Sequence, residues 1–487
     1  MEQAAVEMLQ QPGSIELIAI LYASLQFSGI VAAGHAIFNA RSAQGATAWA
    51  IALIAAPIAA LPFYLVFGRN RFVGYVDARR SADTRHSWIA NQARNVCNAF
   101  RSELQDRGGR LRSLERLAHL PFTYANRVDL LVDGQVAFAA MFDAIRRAEK
   151  YVLIQFFIVR NDDLGEKLKA LLIEKARAGI RIYFLYDELG SNRLSNKFVR
   201  QCREAGIRIE PFRSSKGFTI RFQINFRNHR KTLIIDGDYA FLGGLNVGDE
   251  YLGKSSRFGP WRDTHVSVEG PAADAVQLIF TEDWHWATGE TIENLDWQAR
   301  PAPNSNADVL ILPSGPADDY ESCSLMFVQA IHSAEQRFWI ASPYFVPNEE
   351  IIAALQLAGL RGVDVRILLP ANPDHLMVYF ASFAHMKATG SRGIRFYRYT
   401  EGFMHQKAFL IDDVAAGVGT ANLDNRSFRL NFEITLLSTD RPFAAEVEAM
   451  FEQDFAKSLL VPHDDIDRRS LPFKIASAAA RLMSPIL

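Results

Sequence analysis

The chain has 487 residues, with 53 lysine and arginine residues against 54 aspartate and glutamate residues. This length fits two or three domains, and a net charge near zero disfavours a nuclease or another nucleic-acid-binding protein, which would need a cationic surface. The three cysteines, Cys97, Cys202 and Cys323, lie far apart. Their spacing predicts neither a zinc site nor a disulfide framework and favours a reducing compartment.

Two apolar runs near the N-terminus predict a membrane hairpin. Residues 15–38 and 47–67 each match the roughly 20 residues that cross a bilayer as a helix, and a short connection, 39–46, separates them. A cleaved signal peptide is disfavoured, because the residues before the first run include Glu2 and Glu7 but no lysine or arginine. A buried pair of core helices is the other alternative. We therefore expect residues 1–70 to form a two-helix transmembrane hairpin.

The charges that flank the two runs predict their orientation. Arg69, Arg71, Arg79 and Arg80 follow the second run, whereas the segment before the first run is acidic. Positive flanks stay on the cytoplasmic side, so the large C-terminal part is expected in the cytoplasm, with the N-terminus on the same side. Arg41, in the short connection, is the one contrary charge in this pattern.

An internal repeat occupies most of the remaining chain. Residues 144–154 and 330–340 both resemble a helix that runs into a strand, and residues 280–284 match 451–455. Helices that alternate with apolar strands predict an α/β fold. The expected divisions are a connecting segment at 71–125, a first half at 126–299, a linker at 300–308 and a second half at 309–487.

Both halves carry the pattern H-x-K-x-x-x-x-D, and each copy is followed by an asparagine 17 residues after its histidine. The two sets are His229, Lys231, Asp236 and Asn246, and His405, Lys407, Asp412 and Asn422. The apolar residues after each lysine place the motif on or beside a buried strand, where residues two apart face the same side. Each histidine should therefore lie next to a fixed positive charge.

This arrangement suits the chemistry of a phosphodiester. One imidazole attacks phosphorus while the other protonates the leaving oxygen. Two lysines and two asparagines bind the nonbridging oxygens and stabilise the charge of the transition state. The chemistry requires no metal and no cofactor. We interpret Asp236 and Asp412 as structural partners within the catalytic motif.

These residues resemble the phospholipase D superfamily from about residue 126 to 487, and the hairpin followed by two such halves resembles the bacterial cardiolipin synthases. Supporting stretches are residues 228–231, 243–251, 261–265, 342–347 and 421–427. The resemblance implies two α/β halves related by pseudo-twofold symmetry, with the site at their junction. It also implies a multi-pass protein of the bacterial cytoplasmic (inner) membrane.

The resemblance further implies a reaction in two steps. His229 would attack the phosphate of one phosphatidylglycerol, and His405 would protonate the glycerol that leaves. A second phosphatidylglycerol, deprotonated by His405, would then resolve the phosphohistidine and give cardiolipin. Carboxylates downstream often hold such histidines. We expect Glu433 to hold His405, and Asp263, or its rival Glu250, to hold His229.

Three alternatives remain open from the sequence. The same intermediate could be resolved by water, as in a phospholipase D or a nuclease, or by phosphatidylethanolamine or a free alcohol. A membrane scaffold without activity is disfavoured, because it would not need histidine, lysine and asparagine in both halves. The segment 213–227 mixes cations with aromatic residues, and we expect it to lie on anionic headgroups.

Overall fold

The computed structural model describes residues 12–40, 42–68, 84–103, 111–212, 225–390, 393–462 and 464–487. The chain divides into two compact units, an N-terminal unit (residues 1–74 with 214–226) and a main unit made of the remainder. The arginines used to predict orientation after the second apolar run, and residues 213–224 of the predicted headgroup-binding segment, lie outside the described residues.

The N-terminal unit contains three apolar helices, α1 (Pro12–Asn39), α2 (Ala43–Ala55) and α3 (Pro57–Phe67). Among the described residues, α1 is the one helix long and apolar enough to cross a membrane. Large apolar side chains along it, such as Phe27 and Val31, are exposed, as expected for a helix whose surroundings are lipid. The predicted first apolar helix is therefore present.

The second apolar run is not one continuous helix, so the predicted hairpin of two spanning helices is wrong in this respect. The helical path breaks at Ala56, which has φ −142° and ψ 62°. Pro57 has no N–H to donate into a continuing helix, and its ring disfavours the helical conformation of the residue before it. Residues 43–67 consequently form two short helices.

The three helices form a small core of their own from Ala33, Ala36, Leu53, Ala60 and Tyr64. A polar contact lies beside this core. The Nδ1 atom of His35 is 2.7 Å from the hydroxyl of Tyr64, a partner that the sequence does not reveal.

The main unit is α/β, as predicted. Its helices are α4 (Thr84–Ala99), α5 (Arg112–Ala118), α6 (Asp133–Arg147), α7 (Asp163–Arg177), α8 (Asn196–Glu204), α9 (Pro271–Thr288), α10 (Ser322–Ser333), α11 (Glu349–Leu360), α12 (Leu376–Thr389), α13 (Asn425–Arg429), α14 (Arg441–Ala456), α15 (Asp465–Arg468) and α16 (Leu471–Leu482). Helices α6 and α7 are amphipathic and bury one face, whereas α9 is buried on nearly all sides.

The strands of the first half are β1 (Thr123–Val132), β2 (Tyr151–Phe156), β3 (Arg181–Asp187), β4 (Arg208–Phe212), β5 (Arg227–Asn228), β6 (Thr232–Ile235), β7 (Tyr239–Gly243), β8 (Trp261–Arg262) and β9 (Thr264–Glu269). Those of the second half are β10 (Ala307–Ser314), β11 (Arg337–Ala341), β12 (Phe345–Val346), β13 (Asp364–Pro370), β14 (Ile394–Tyr399), β15 (Phe403–Met404), β16 (Ala408–Ile411), β17 (Ala415–Gly419), β18 (Leu423–Asp424), β19 (Asn431–Ser438) and β20 (Ser458–Leu460).

Sixteen of these strands form one sheet that runs through both halves, in the order β20-β14-β13-β11-β16-β17-β19-β10-β1-β9-β7-β6-β2-β3-β4, with β5 paired to β19. The order is symmetric about the antiparallel contact of β1 with β10, which pairs Thr123 with Val309. Outward from this contact, β9, β7, β6, β2, β3 and β4 match β19, β17, β16, β11, β13 and β14. The two halves are thus related by a pseudo-twofold axis.

Candidate active site

Short strands exchanged between the halves place the two histidines. Strand β5, which ends just before His229, pairs in parallel with β19 of the second half. Strand β15, which ends just before His405, pairs in parallel with β8 of the first half. The backbone N–H of His229 donates to the carbonyl of Phe432 at 2.9 Å, and that of His405 donates to the carbonyl of Arg262 at 2.8 Å. Each histidine therefore lies against the opposite half.

Each histidine consequently contacts a carboxylate of the opposite half. The Nδ1 atom of His229 lies 2.9 Å from Glu433 Oε2, and the Nδ1 atom of His405 lies 2.8 Å from Asp263 Oδ2. The predicted residues are the right ones, but the predicted pairing within each half is wrong because the strands cross over. The rival Glu250 instead contacts Arg160, with Nε and Oε1 3.3 Å apart.

These contacts set the state of both imidazoles. A carboxylate at Nδ1 fixes the tautomer that carries its hydrogen there and leaves a lone pair on Nε2. Burial lowers the pKa of His229 to about 4, although Glu433 opposes this shift. Burial, and then the charge of Lys407, lower the pKa of His405. Both rings are therefore neutral near pH 7, and both Nε2 atoms can act as bases or nucleophiles.

The two lysines are buried beside the histidines. Each Nζ donates to the backbone carbonyl of the histidine two residues earlier, at 2.5 Å in both Lys231 and Lys407. Burial lowers the pKa of Lys231 to about 7 and that of Lys407 to about 8, while Glu433 and Asp263 oppose both shifts. When protonated, these two buried ammonium groups make a strong site for an anion, because the local dielectric constant is low.

Both carboxylates remain ionised in the site. Burial by itself raises the pKa of Glu433, but His229, Lys231 and Thr420 together lower it below its usual range. Burial has the same effect on Asp263, where Lys407 and His405 lower the pKa. The described site is therefore a compact group of two carboxylates, two lysines and two imidazoles.

The two predicted asparagines are buried, and the protein uses part of each amide. Asn246 accepts a hydrogen bond from the N–H of Ile158 at 3.0 Å and donates to the hydroxyl of Tyr251 at 2.9 Å. Asn422 donates to Asp424 at 3.3 Å. Each Nδ2 has a second hydrogen beyond these contacts, so the predicted contact with a phosphate oxygen is compatible with the geometry.

Each motif aspartate binds backbone N–H groups of its own half. Asp236 accepts hydrogen bonds from the N–H groups of residues 149–151 at 2.7–2.8 Å, and Asp412 accepts from those of 335–337 at 2.8–3.3 Å. Both have positive φ, 54° and 52°, at the turn after the motif strand. They hold the turn at the start of β2 and of β11, which agrees with their interpretation as structural partners.

Comparison with known proteins places the chain in a family. The family model described as "Cardiolipin synthase, PLD-like domain" matches residues 141–284 and 327–455. The chain is 47% identical over 474 residues to cardiolipin synthase A of Pseudomonas fluorescens, covering 97% of this chain and 98% of that protein. It is 46% identical over 480 residues to cardiolipin synthase A of Pseudomonas aeruginosa, covering 97% of each. The chain belongs to the cardiolipin synthase family.

The fold of this family member resembles that of a solved structure, phosphatidylserine synthase from Haemophilus influenzae. The two agree with a TM-score of 0.57 at 15% identity, over 78% of this chain and 100% of that one. At this identity the likeness shows a shared fold of two PLD-like halves.

Sequence reasoning missed the residues that hold Glu433 in this cardiolipin synthase family member. Its oxygens accept hydrogen bonds from Thr420 Oγ1 at 2.5 Å, Ser427 Oγ at 2.9 Å and Asn431 Nδ2 at 3.1 Å. The sequence does mark the position of Thr420 as different between the halves, since Gly244 stands at the matching position of the first half. A Cβ on Gly244 would lie 2.0 Å from Asp263 Oδ1, so the first half has no room for a side chain.

Two buried ion pairs join arginines near the histidines to helices α9 and α14, and the repeat contains a sign of them. Arg230 binds Asp283 with Nη1 and Oδ1 2.7 Å apart, and Arg262 binds Asp454 with Nε and Oδ1 2.8 Å apart. Asp283 and Asp454 stand at matching positions of the repeated segments 280–284 and 451–455. These buried ion pairs fix the strands that carry the histidines and carboxylates.

Proposed function

We propose that the chain transfers a phosphatidyl group from one phosphatidylglycerol to another and gives cardiolipin and glycerol. The observation that carries this proposal is the crossed pairing of the two histidines. His229 and His405 each have Nδ1 on a carboxylate of the other half and a buried lysine alongside. In the second half that lysine, Lys407, has its Nζ 3.1 Å from Nε2 of His405. The full-length similarity to cardiolipin synthase A proteins supports the choice of lipid.

In the first step, Nε2 of His229 attacks phosphorus. A P–N bond forms, the P–O bond to glycerol breaks, and His405 gives its proton to the departing oxygen. An anionic phosphodiester favours the protonated state of His405 that this step requires. Lys231 and Lys407 stabilise the charge on the nonbridging oxygens, and the second amide hydrogens of Asn246 and Asn422 add to this.

In the second step, His405 takes a proton from the hydroxyl of a second phosphatidylglycerol. The hydroxyl oxygen attacks phosphorus, the P–N bond breaks, and His229 returns to its neutral form. The order of the two histidines comes from the family resemblance. It agrees with an asymmetry of the site, because Glu433, which holds His229, is itself held by more side chains than Asp263.

Product analysis tests this function. Purified protein in detergent would receive labelled phosphatidylglycerol as its lipid, beside His229→Ala and His405→Ala variants. We expect cardiolipin and glycerol, and neither in the two variants. Phosphatidic acid as the main product would instead indicate a hydrolase that uses water. No product from folded protein would point to another donor lipid or to a scaffold.

Membrane attachment forms part of the proposal. We infer that α1 anchors the chain in the cytoplasmic membrane of a bacterium, since its apolar side chains are exposed along most of its length. A multi-pass arrangement would require α2 and α3 to cross together as a broken helix. That arrangement, and a main unit in the cytoplasm, stay predictions. A C-terminal reporter accessible only after the membrane is permeabilised would support them, and one accessible from outside would refute them.

The position of strand β10 supports a division of the chain near the predicted boundaries. We infer that the first half ends before residue 300 and the second begins by residue 309, because β10 starts at Ala307. Residues 300–306, which precede it, form neither helix nor strand. Limited proteolysis that cuts first within this linker would test the division.

A further inference from the structure

The last helix of the chain, α16, is fixed to the main unit by one face. The ring of Phe473 contacts the rings of Phe380 and Phe383 on α12, with centroids 5.2 and 5.0 Å apart. The hydroxyl of Ser477 donates to the carbonyl of Phe380 at 2.8 Å. These contacts fix which side of α16 faces the protein and which side faces outward.

The outward side of α16 is apolar. Leu471, Ile475 and Leu482 are 68%, 60% and 81% exposed. They are spaced four and seven residues apart, which aligns them along one side of a helix. Ala478, also exposed, lies between them in the same row. Exposing a continuous row of leucine and isoleucine side chains to water is unfavourable, so such a row indicates a binding surface.

Cations flank this apolar row. Lys474, Arg481 and Lys387 line a groove of about 740 Å³ between α12, α15 and α16, together with one carboxylate, Asp467. The Nζ atom of Lys387 donates to Oδ1 of Asp467 at 2.6 Å, and the Nζ atom of Lys474 donates to the backbone carbonyl of Asp467 at 2.7 Å. Within the part of the chain that the structure describes, no carboxylate pairs with Arg481. The groove therefore has a net positive charge next to an apolar surface.

We propose that α16 docks on the surface of an anionic phospholipid bilayer, with Leu471, Ile475 and Leu482 among the acyl chains and Lys474, Arg481 and Lys387 at the lipid phosphates. An apolar row bordered by cations is the arrangement by which a helix lies in the plane of an anionic membrane. The surface is separate from the two histidine motifs. The inference adds a second membrane contact to the proposed anchor α1, and it rests on that anchor.

Fluorescence quenching in nanodiscs tests the docking. The full chain with Ile475→Cys would carry an environment-sensitive dye and be placed in nanodiscs of phosphatidylglycerol or of phosphatidylcholine. The native thiols should not compete for the dye, because Cys97, Cys202 and Cys323 are buried and burial raises the pKa of the first two to about 12. Conversion of phosphatidylglycerol to cardiolipin during the experiment keeps the bilayer anionic.

Two matched positions serve as controls. Val136→Cys, on α6, places the dye at a side chain that is 53% exposed, and Ile30→Cys, on α1, places it on the proposed anchor. We expect a nitroxide carried on the lipid chains to quench the dye at 475 and at 30 but not at 136. Quenching at 30 without quenching at 475 would overturn the docking and leave the anchor intact. Quenching at neither would overturn both.

The role of charge is tested by a double variant, Lys474→Gln with Arg481→Gln, in the Ile475→Cys background. A cation near an anionic surface contributes enough that removing two should lower the ratio of docked to undocked helix roughly ten- to thirty-fold. This loss is expected in phosphatidylglycerol and not in phosphatidylcholine. An equal effect in both lipids would refute headgroup recognition. A dye at 475 that is shielded from water but not quenched by lipid nitroxide would indicate a protein partner and overturn the proposal.

Discussion

Replacing Glu433 by glutamine tests how the carboxylate prepares His229 for attack. In the native site the four donors to Glu433 are His229, Thr420, Ser427 and Asn431. A glutamine amide turns one acceptor oxygen into a donor. Its NH₂ group would then face groups that donate hydrogen bonds in the native site. The hydroxyls of Thr420 and Ser427 can rotate to accept from it, and the imidazole of His229 can accept only by changing its tautomer. The changed tautomer puts the hydrogen on Nε2, the atom that must attack phosphorus.

The size of the effect follows from the contacts that are lost. A hydrogen bond to a charged group contributes about 1.5–3 kcal/mol, and the wrong tautomer adds to this loss. A total of about 2–4 kcal/mol in the barrier corresponds to a roughly 30- to 1,000-fold slower reaction. Glu433→Gln should therefore be slow but folded, since glutamine keeps the volume of the side chain.

A substrate with a good leaving group separates the two histidines. With the nitrophenyl ester of phosphatidic acid, the departing group needs no proton, so the first step does not depend on a general acid. Phosphatidylglycerol is added as the acceptor. In Asp263→Asn, which disturbs His405, the first-turnover burst of nitrophenol should stay near the wild-type rate, while transfer to phosphatidylglycerol to give cardiolipin is slow. In Glu433→Gln the burst itself should be slower by the same factor of roughly 30 to 1,000, because His229 is the nucleophile.

The matched control is Glu250→Gln. Glu250 is the rival carboxylate named from the sequence, but it pairs with Arg160. Its loss should therefore change the rate by no more than about two-fold. A burst that is preserved in Glu433→Gln and lost in Asp263→Asn would show that the histidines have the opposite roles. A wild-type rate in both variants would refute the view that the crossed carboxylates prepare the histidines.

Three further changes test other parts of the site. The value of kcat/KM should fall as the pH rises through about 7 to 8, because Lys231 and Lys407, with pKa values of about 7 and about 8, lose the charge that binds the phosphodiester. In Lys231→Arg this fall should occur at higher pH. An unchanged pH profile would contradict the assignment. Asp236→Ala should lower the free energy of unfolding by about 1–3 kcal/mol through three lost hydrogen bonds, with little change in the rate of the folded fraction. A urea titration and an activity assay on the same variant would measure both. A folded but inactive variant would show that Asp236 takes part in catalysis. Gly244→Ala should displace Asp263, whose Oδ1 would lie 2.0 Å from the new Cβ, and should reproduce the Asp263→Asn behaviour with the nitrophenyl ester, whereas full activity with phosphatidylglycerol would refute the close packing.

The sequence predicts the parts of the site but not how they pair. The two motifs follow from residue spacing, which is local information. The contacts of His229 with Glu433 and of His405 with Asp263 join residues 204 and 142 positions apart. They depend on β5 joining β19 and β15 joining β8, and strands of two residues carry no periodic signal. Assigning each carboxylate to the histidine of its own half was therefore the natural error.

The break in the second apolar run has a local cause in the sequence, which the apolar composition of the run does not reveal. Its mean hydropathy and length match a spanning helix, but Pro57 lies inside it. A proline within a helix removes one hydrogen bond and disfavours the helical conformation of the preceding residue. The break at Ala56 agrees with this chemistry, which is independent of hydrophobicity, whereas Pro62 lies within α3 without ending it. Counting apolar residues measures the preference for lipid and says little about the continuity of a helix.

The crossed pairs explain why the two halves must act together. A single half would contain a histidine without its carboxylate and a buried carboxylate without its histidine, and an unpaired buried charge is costly. The pairing also differs between the halves. Besides its histidine, Glu433 accepts from three side chains, those of Thr420, Ser427 and Asn431. Asp263 accepts from one side chain, that of Trp261 at 3.3 Å, and from the N–H of Thr264, and it is packed against Gly244, which offers no side chain. The better-held carboxylate fixes the imidazole that must attack along one line, and the other supports the imidazole that gains and loses a proton. A repeated sequence can therefore carry two different chemical roles through a small number of substitutions around a shared frame.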